Sequence, residues 1–175
     1  MALSLRLRKF VLTTHITSSV GWLGAVAVVL ALAVAGLLSE DAETVRGGYL
    51  AMEPITWFIL VPLSFASLLT GLVQSLGATW GLFRHYWVLA KLVINIFANV
   101  ILLMYTQTIS YIADVAAETT SSSAALRALA FSPLLHAGGA LLLLLVATVL
   151  SVYKPRGLTR YGWRKQREER TAAAP

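Results

Sequence analysis

Residues 10–38, FVLTTHITSSVGWLGAVAVVLALAVAGLL, decide the fold of this chain. At a rise of 1.5 Å per residue, about 20 apolar residues cross the roughly 30 Å hydrocarbon core of a bilayer. The stretch is longer than that. It follows the basic sequence RLRK, as a secretory signal would, but the apolar core of a signal has only about 7–15 residues. We therefore predict a retained membrane-spanning helix.

Three further apolar stretches have spanning length, and none alternates in polarity as the strands of a transmembrane barrel do. Of the 175 residues, 58% are hydrophobic and only 13% are charged. We predict an all-α fold, a polytopic transmembrane four-helix bundle within residues 1–153. The Ser/Thr/Ala-rich residues 118–125 are predicted to form a loop, and the terminal TAAAP a frayed end. The predicted helices lie at about 10–38, 55–77, 86–112 and 131–153.

Basic residues concentrate at one set of helix ends, namely at residues 6–9, at Arg84 and at residues 154–170, whereas the other two connections are mainly acidic. Because cytoplasmic loops are enriched in Lys and Arg, both termini are predicted to be cytoplasmic, in a bacterial cytoplasmic membrane. Residues 154–175 then form a basic cytoplasmic tail. Its attraction to anionic lipid, about 1 kcal/mol per basic residue, explains the net charge of +6, and no nucleic-acid partner is expected.

Polar residues recur on single faces of the predicted helices. His15 and Trp22 are seven residues apart with two serines between them, and Lys91, Asn95 and Asn99 recur every four residues. Ionisable groups in lipid are costly, so they generally face the bundle interior and indicate function. Two other interpretations stay open, because small and hydroxyl residues also mediate helix packing and because Lys91 could extend to the membrane surface.

Depth separates the histidines. His15 and Lys91 each lie about 7–8 Å inside the predicted cytoplasmic edge, so they are level. His136 lies roughly 15 Å from His15 along the membrane normal, too far to share one metal ion. His85, at the inner edge, could approach His15 or could act as an interfacial anchor. His85 and His136 are therefore the further candidates for binding a metal.

Three sequence features resemble the bacterial CopD-like group of membrane proteins, which includes the HemJ-type protoporphyrinogen oxidases. The first helix has His15, then Trp22 and Gly24. The third has Trp87 followed four residues later by Lys91, in WVLAKLVIN, and the last helix closes with YKP at residues 153–155. The resemblance implies a haem b site within the bundle, with His15 as a ligand and a functional role for Lys91.

The sequence also departs from that group. HemJ-type proteins carry an Asn-Glu-x-x-Pro-like element at the start of the last helix, whereas FSPLLHAGG at residues 131–139 has no carboxylate. CopD proteins themselves are associated with copper, yet three methionines, scattered histidines and no cysteine make a poor soft-metal site. Haem therefore ranks above copper.

We expect a protein that binds haem b and acts in membrane redox chemistry or haem handling, with His15 as an axial ligand to the iron. Trp22 would pack around the macrocycle, and Lys91 would meet a propionate. The alternatives are a non-catalytic membrane subunit or accessory protein, as a homo-oligomer or in a larger complex, and copper transport. No hydrolase, phosphate-loop or metalloprotease motif is present, so no reaction is assigned. The expected site comprises His15, Trp22, Arg84, Lys91 and Asn95.

Overall fold

The computed structural model describes residues 4–77, 81–118 and 123–172. In this part of the chain the fold is all-helical, apart from short connections and one β-bridge between His85 and Leu158. The helices are α1 (Leu5–Leu38), α2 (Ala42–Ile55), a π-helical turn (Thr56–Leu60), α3 (Val61–Gly77), α4 (Tyr86–Ala117), α5 (Ser123–Leu129), α6 (Phe131–Tyr153) and α7 (Arg160–Ala172).

Among the described residues, four helical segments are long and apolar enough to cross a membrane, as expected of a multi-pass membrane protein. They are α1, the continuous run from α2 through the π turn to α3, α4, and α5 with α6. The predicted all-α fold and its four apolar spans are therefore confirmed.

The spans form a ring. Helix α1 packs against α3 and α6, and α4 packs against the same two helices, so α1 and α4 face each other diagonally. We call the end where α1 and α4 begin the basic end, and the opposite end, where α2 begins, the acidic end. At the acidic end, α2 packs between α1 and α4, and the short α5 packs on α2.

The second span begins earlier than predicted, at Ala42 instead of residue 55. Asp41 caps it, because its carboxylate accepts hydrogen bonds from the backbone N–H groups of Glu43 (3.4 Å) and Thr44 (3.0 Å). Residues at helical spacing are buried along one face, which stabilises the helix by packing. The predicted outer loop is therefore wrong over this stretch. The buried residues of α2 are Val45, Tyr49 and Met52.

The other boundaries differ by less. Helix α1 begins at Leu5, with the Ser4 hydroxyl accepting from the Leu7 amide at 3.3 Å, and α4 continues to Ala117. Helix α6 has the predicted bounds. Of the predicted loop at 118–125, residues 119–122 lie outside the described part, and α5 begins at Ser123. In the predicted frayed end TAAAP, α7 extends to Ala172 and residues 173–175 lie outside the described part.

The tightest packing lies at the acidic end. Tyr49, Met52 and Leu126 are almost fully buried there, together with Ile109 of α4. The Tyr49 hydroxyl donates to the Leu126 carbonyl at 2.9 Å, which ties α2 to α5. Helix α1 approaches the aromatic ring of Tyr49 at Gly36. A β-carbon at this position would lie 2.9 Å from a ring carbon. A side chain at Gly36 would therefore collide with a fixed aromatic ring.

The basic tail contains a helix that docks on the bundle. After α6 ends at Tyr153, the Thr159 amide donates to the Arg84 carbonyl at 3.0 Å, and the Thr159 hydroxyl accepts from the Gly162 amide at 3.0 Å. A β-carbon at Gly162 would lie 2.4 Å from the Arg84 carbonyl oxygen, so only glycine permits this approach. Arg84 also pairs with Glu169 of α7.

Candidate functional site

A cleft of about 690 Å³ lies between α1, α3, α4 and α6. It extends from Arg8 and Lys154 at the basic end to Trp22 and Leu144 deeper in the bundle. This volume falls in the range of small-molecule and cofactor sites, roughly 300–1,000 Å³. The cleft is therefore large enough for a ligand of cofactor size.

His15 faces α3 through one ring nitrogen. Its Nδ1 lies 3.1 Å from the Ser67 carbonyl oxygen and 3.1 Å from the Thr70 hydroxyl, which itself donates to the Ala66 carbonyl. Because a carbonyl only accepts hydrogen bonds, this network assigns the proton to Nδ1. Nε2 then carries a lone pair, and no described residue forms a hydrogen bond with it.

The position of the His15 ring depends on a glycine of α3. A β-carbon at Gly71 would lie 3.0 Å from Cε1 of His15, so a larger residue there would displace the ring. One turn further into the bundle, the hydroxyls of Ser19 and Ser67 are 2.8 Å apart and join the same two helices. These serines thus have the packing role that the sequence left open, and they hold the histidine in place.

Lys91 is held within the bundle on the other side of the cleft. Its Nζ donates to the Ser151 hydroxyl of α6 at 3.0 Å and lies 4.8 Å from the centroid of the Trp87 ring. Both contacts keep the ammonium beside the cleft that His15 lines. Among the described residues that line this cleft, none is acidic, and the basic ones are Arg8, Lys91 and Lys154.

The asparagines of α4 bond along their own helix. The side-chain amides of Asn95 and Asn99 each donate to the carbonyl four residues earlier, at 2.9 Å. Asn95 lines the cleft, as does Trp22, which is only 2% exposed. Asn99 is buried, and its Oδ1 has no hydrogen-bond donor among the described residues. Four predicted site residues thus meet at one cleft: His15, Trp22, Lys91 and Asn95.

Arg84, the fifth predicted site residue, lies elsewhere. Its two terminal nitrogens bond both carboxylate oxygens of Glu169, at 3.2 and 3.0 Å, and it does not line the cleft. The sequence placed Arg84 just below Lys91, but its guanidinium instead fastens α7 to the turn before α4.

The other two histidines do not line the cleft. His85 caps α4 and takes part in the β-bridge with Leu158. His136 is exposed, donates to the Ser132 carbonyl from Nδ1 at 2.9 Å, and stacks on Tyr105 with ring centroids 3.8 Å apart. Within residues 4–77, 81–118 and 123–172, no three His, Asp or Glu side chains lie close enough to hold a metal ion together.

Two residues beside the cleft escaped prediction. Ser151, the partner of Lys91, is a hydroxyl residue near the end of an apolar helix. Its polarity was the only feature of the sequence that could have indicated a role in the site. Arg8 was counted solely as an orienting charge, yet it lines the cleft. A helical wheel of α1 places Arg8 seven residues before His15, on the same face, and that spacing could have identified it.

No protein-family model, no curated protein and no solved structure matches this chain. The chemistry of the cleft is therefore argued from its own residues. They supply one imidazole nitrogen with a lone pair, basic groups at one end, and apolar walls between α1, α3, α4 and α6.

Proposed function

We propose that this chain is a multi-pass protein of the bacterial cytoplasmic membrane, with its basic end in the cytoplasm, that binds haem b in the cleft. It would act in membrane redox chemistry or haem handling. One observation carries the proposal: His15 bonds a backbone carbonyl through Nδ1 and has Nε2 unengaged by described residues, on a cleft that Lys91 shares.

The histidine geometry supports an iron ligand. Metal-binding imidazoles commonly donate one ring N–H to a carbonyl or carboxylate, which fixes the ring and directs the other nitrogen's lone pair to the metal. Ser67 provides that carbonyl for His15. A purely structural histidine would be expected to use both nitrogens, because an unsatisfied polar atom in a bundle is costly.

The charges support an anionic ligand rather than a bare cation. Haem b carries two propionates, and Lys91 and Arg8 line the cleft without an acidic neighbour among its described lining residues. A partly buried ammonium in a membrane protein is costly unless it is paired, and the Ser151 hydroxyl is only a neutral acceptor. A propionate would supply the missing negative charge. The same charges would repel a free copper ion.

Mainly apolar side chains form the walls of the cleft, which supports binding of an apolar macrocycle. Trp22 is buried in the cleft wall, and Asn95 lies one turn of α4 beyond Lys91. Haem supplies one-electron chemistry when bound, at a potential that depends on the axial ligand and the polarity around it. In this chain, His15 would bind the iron and orient the macrocycle. Lys91 would neutralise the charge of a propionate, and the apolar helices would exclude water.

An absorption spectrum tests the proposal. We expect protein extracted from membranes after haem-supplemented expression to show a Soret band that His15→Ala abolishes. His136→Ala is the matched control, because it also removes a histidine from a spanning segment but leaves the cleft intact. It should keep the wild-type spectrum. Elution as a single species in size-exclusion chromatography would show that each variant is folded.

A cavity variant separates loss of a ligand from loss of the fold. In His15→Gly, added imidazole should restore the Soret band, because it can occupy the vacated space and bind iron. A colourless wild-type protein would overturn haem binding and favour a non-catalytic membrane subunit. Binding of copper(I) with a sensitivity to His15→Ala, in the absence of haem, would favour copper transport.

A further inference from the structure

A second pocket, of about 770 Å³, lies at the basic end beside α7. One wall is the turn before α4 and another is the segment after α6. The Tyr86 amide donates to the Gly157 carbonyl at 3.3 Å, and the Thr159 amide donates to the Arg84 carbonyl at 3.0 Å. Two backbone hydrogen bonds therefore fix these walls against each other.

Helix α7 forms the third wall, through Trp163 and Gln166. The close approach of Gly162 to the Arg84 carbonyl and the Arg84–Glu169 ion pair hold this helix in place. The pocket is thus built by specific packing, and its shape does not depend on an extended tail.

The pocket is positively charged. Its lining includes Arg84, Lys154 and Arg156, and none of its described lining residues is acidic. Arg84 is paired with Glu169 of α7, and Lys154 and Arg156 add two further cationic side chains to the lining. A phosphate group is the anion that such a pair of cations binds well.

Lys154 occupies an unusual backbone conformation. With φ 42° and ψ 61° it is left-handed, and among the described residues it is the only one other than glycine with a positive φ. Helices commonly end in this conformation on glycine, which adopts it without strain. A lysine at a strained position suggests that its side chain is used.

The pocket lies where α4 begins and α6 ends, which are the ends of two spanning helices. Lipid headgroups lie at this level of a bilayer. Trp163 and Tyr86, both exposed, have the amphipathic rings that are enriched at membrane interfaces. The ligand that reaches this depth with a phosphate is a phospholipid.

We propose that this pocket is a binding site for the phosphate of an anionic phospholipid, contacted by Lys154 and Arg156. The site is distinct from a general attraction between the basic tail and the membrane, because it depends on two positions rather than on total charge. The pocket adjoins the cleft, because Lys154 and Trp87 line both, whereas Arg156 lines only this pocket.

Thermal unfolding in lipid nanodiscs tests the site. At constant ionic strength, Tm should be higher in nanodiscs containing phosphatidylglycerol than in phosphatidylcholine alone. Arg156→Gln should remove roughly half of this difference, since it deletes one of the two cationic side chains proposed to contact the phosphate. Arg170→Gln, the same change on α7 outside the pocket, should keep the difference.

Lys154→Gly separates binding from folding. It relieves the left-handed strain, so Tm in phosphatidylcholine should equal or exceed that of the wild type, while the increment from phosphatidylglycerol should fall as in Arg156→Gln. An undiminished increment in Lys154→Gly, or an equal loss in Arg170→Gln, would overturn the site. If inorganic phosphate in phosphatidylcholine nanodiscs reproduces the increment, the ligand comes from solution and the lipid assignment is wrong.

Discussion

The two halves of the bundle are packed differently. At the acidic end, Ala33, Met52 and Ala116 have no exposed surface, whereas at the basic end His15 and Lys91 border a cleft of about 690 Å³. Lipid tails are as apolar as the side chains, so helices in a membrane associate through close packing and hydrogen bonds rather than through the hydrophobic effect. The acidic half therefore supplies the closest apolar packing, whereas the basic half joins its helices through side-chain hydrogen bonds and leaves room for a ligand.

A glycine adjoins a ring in each half. Gly36 of α1 lies against Tyr49, and Gly71 of α3 lies against His15, with hypothetical β-carbons 2.9 and 3.0 Å from the rings. The tyrosine is enclosed and uses its one polar group on the Leu126 carbonyl. Among the described residues, the histidine has hydrogen-bond partners at only one of its two nitrogens. Similar local packing thus gives a structural residue in one half and an available ligand in the other.

The largest effect is expected for Tyr49→Ala. Loss of a fully buried aromatic side chain and of the contact between α2 and α5 should cost about 3–5 kcal/mol of unfolding free energy. Unfolding by SDS titration in mixed micelles would measure it. Tyr49→Phe loses only the hydrogen bond and should cost about 0.6–1 kcal/mol. Equal costs for the two variants would show that the acidic half is not held by packing of this ring.

The spans of this fold could be predicted because apolar length alone sets them. Helix α6 has the predicted bounds: a turn at Ala130 precedes it, and Lys154 and Pro155 follow it. Helix α2 could not be recognised, because Gly47, Gly48 and Pro54 are typical of loops. Tertiary packing of its buried face outweighs those local preferences, and the π turn follows directly after the proline.

For the candidate site as well, the sequence predicts local spacing but not contacts between residues far apart in the chain. Spacing along one helix placed His15 with Trp22 and Lys91 with Asn95, and the equal depth of His15 and Lys91 placed both pairs at one cleft. Arg84 could not be placed in this way, because its partner Glu169 is 85 residues away along the chain. Periodicity predicts which face a residue occupies, but not which distant charge it meets.

Gly71→Ala, in the basic half, should cost less unfolding free energy than Tyr49→Ala. The new methyl group must displace the His15 ring, and overpacking of this kind costs about 1–3 kcal/mol. Because the ring borders a cleft into which it can shift, we expect a cost near the lower limit, measured by the same SDS titration. If haem binds as proposed, absorption spectra should show a larger loss of haem affinity, because the displaced Nε2 would no longer be in position to bind the iron.

Gly24→Ala is the control for this comparison. It gains the same helix propensity, and a β-carbon at Gly24 has nothing within 4 Å. It should leave haem affinity unchanged and stability within about 0.5 kcal/mol or slightly raised. If Gly24→Ala weakened haem binding as much as Gly71→Ala, the position of the His15 ring would not be what determines affinity.

The smallest effect concerns the exposed start of α2 at the acidic end. The Thr44 hydroxyl, together with the backbone N–H groups of Thr44 and Glu43, donates to the Asp41 carboxylate and holds its pKa below the ordinary value of 3.8. A lowered pKa stabilises the cap fully above pH 3.8, and this contribution is lost as the pH falls through the lower folded value.

Hydrogen-exchange protection of the first turn of α2 should therefore fall under acidic conditions, while the turns packed around Tyr49 keep theirs. Asp41→Asn supplies an equally good cap that does not ionise, so its protection should not change over the same pH range. If the variant lost protection in parallel with the wild type, the Asp41 carboxylate would not be the group that controls the cap. A loss that spread to Tyr49 would mean that the cap and the packed acidic half unfold as one unit.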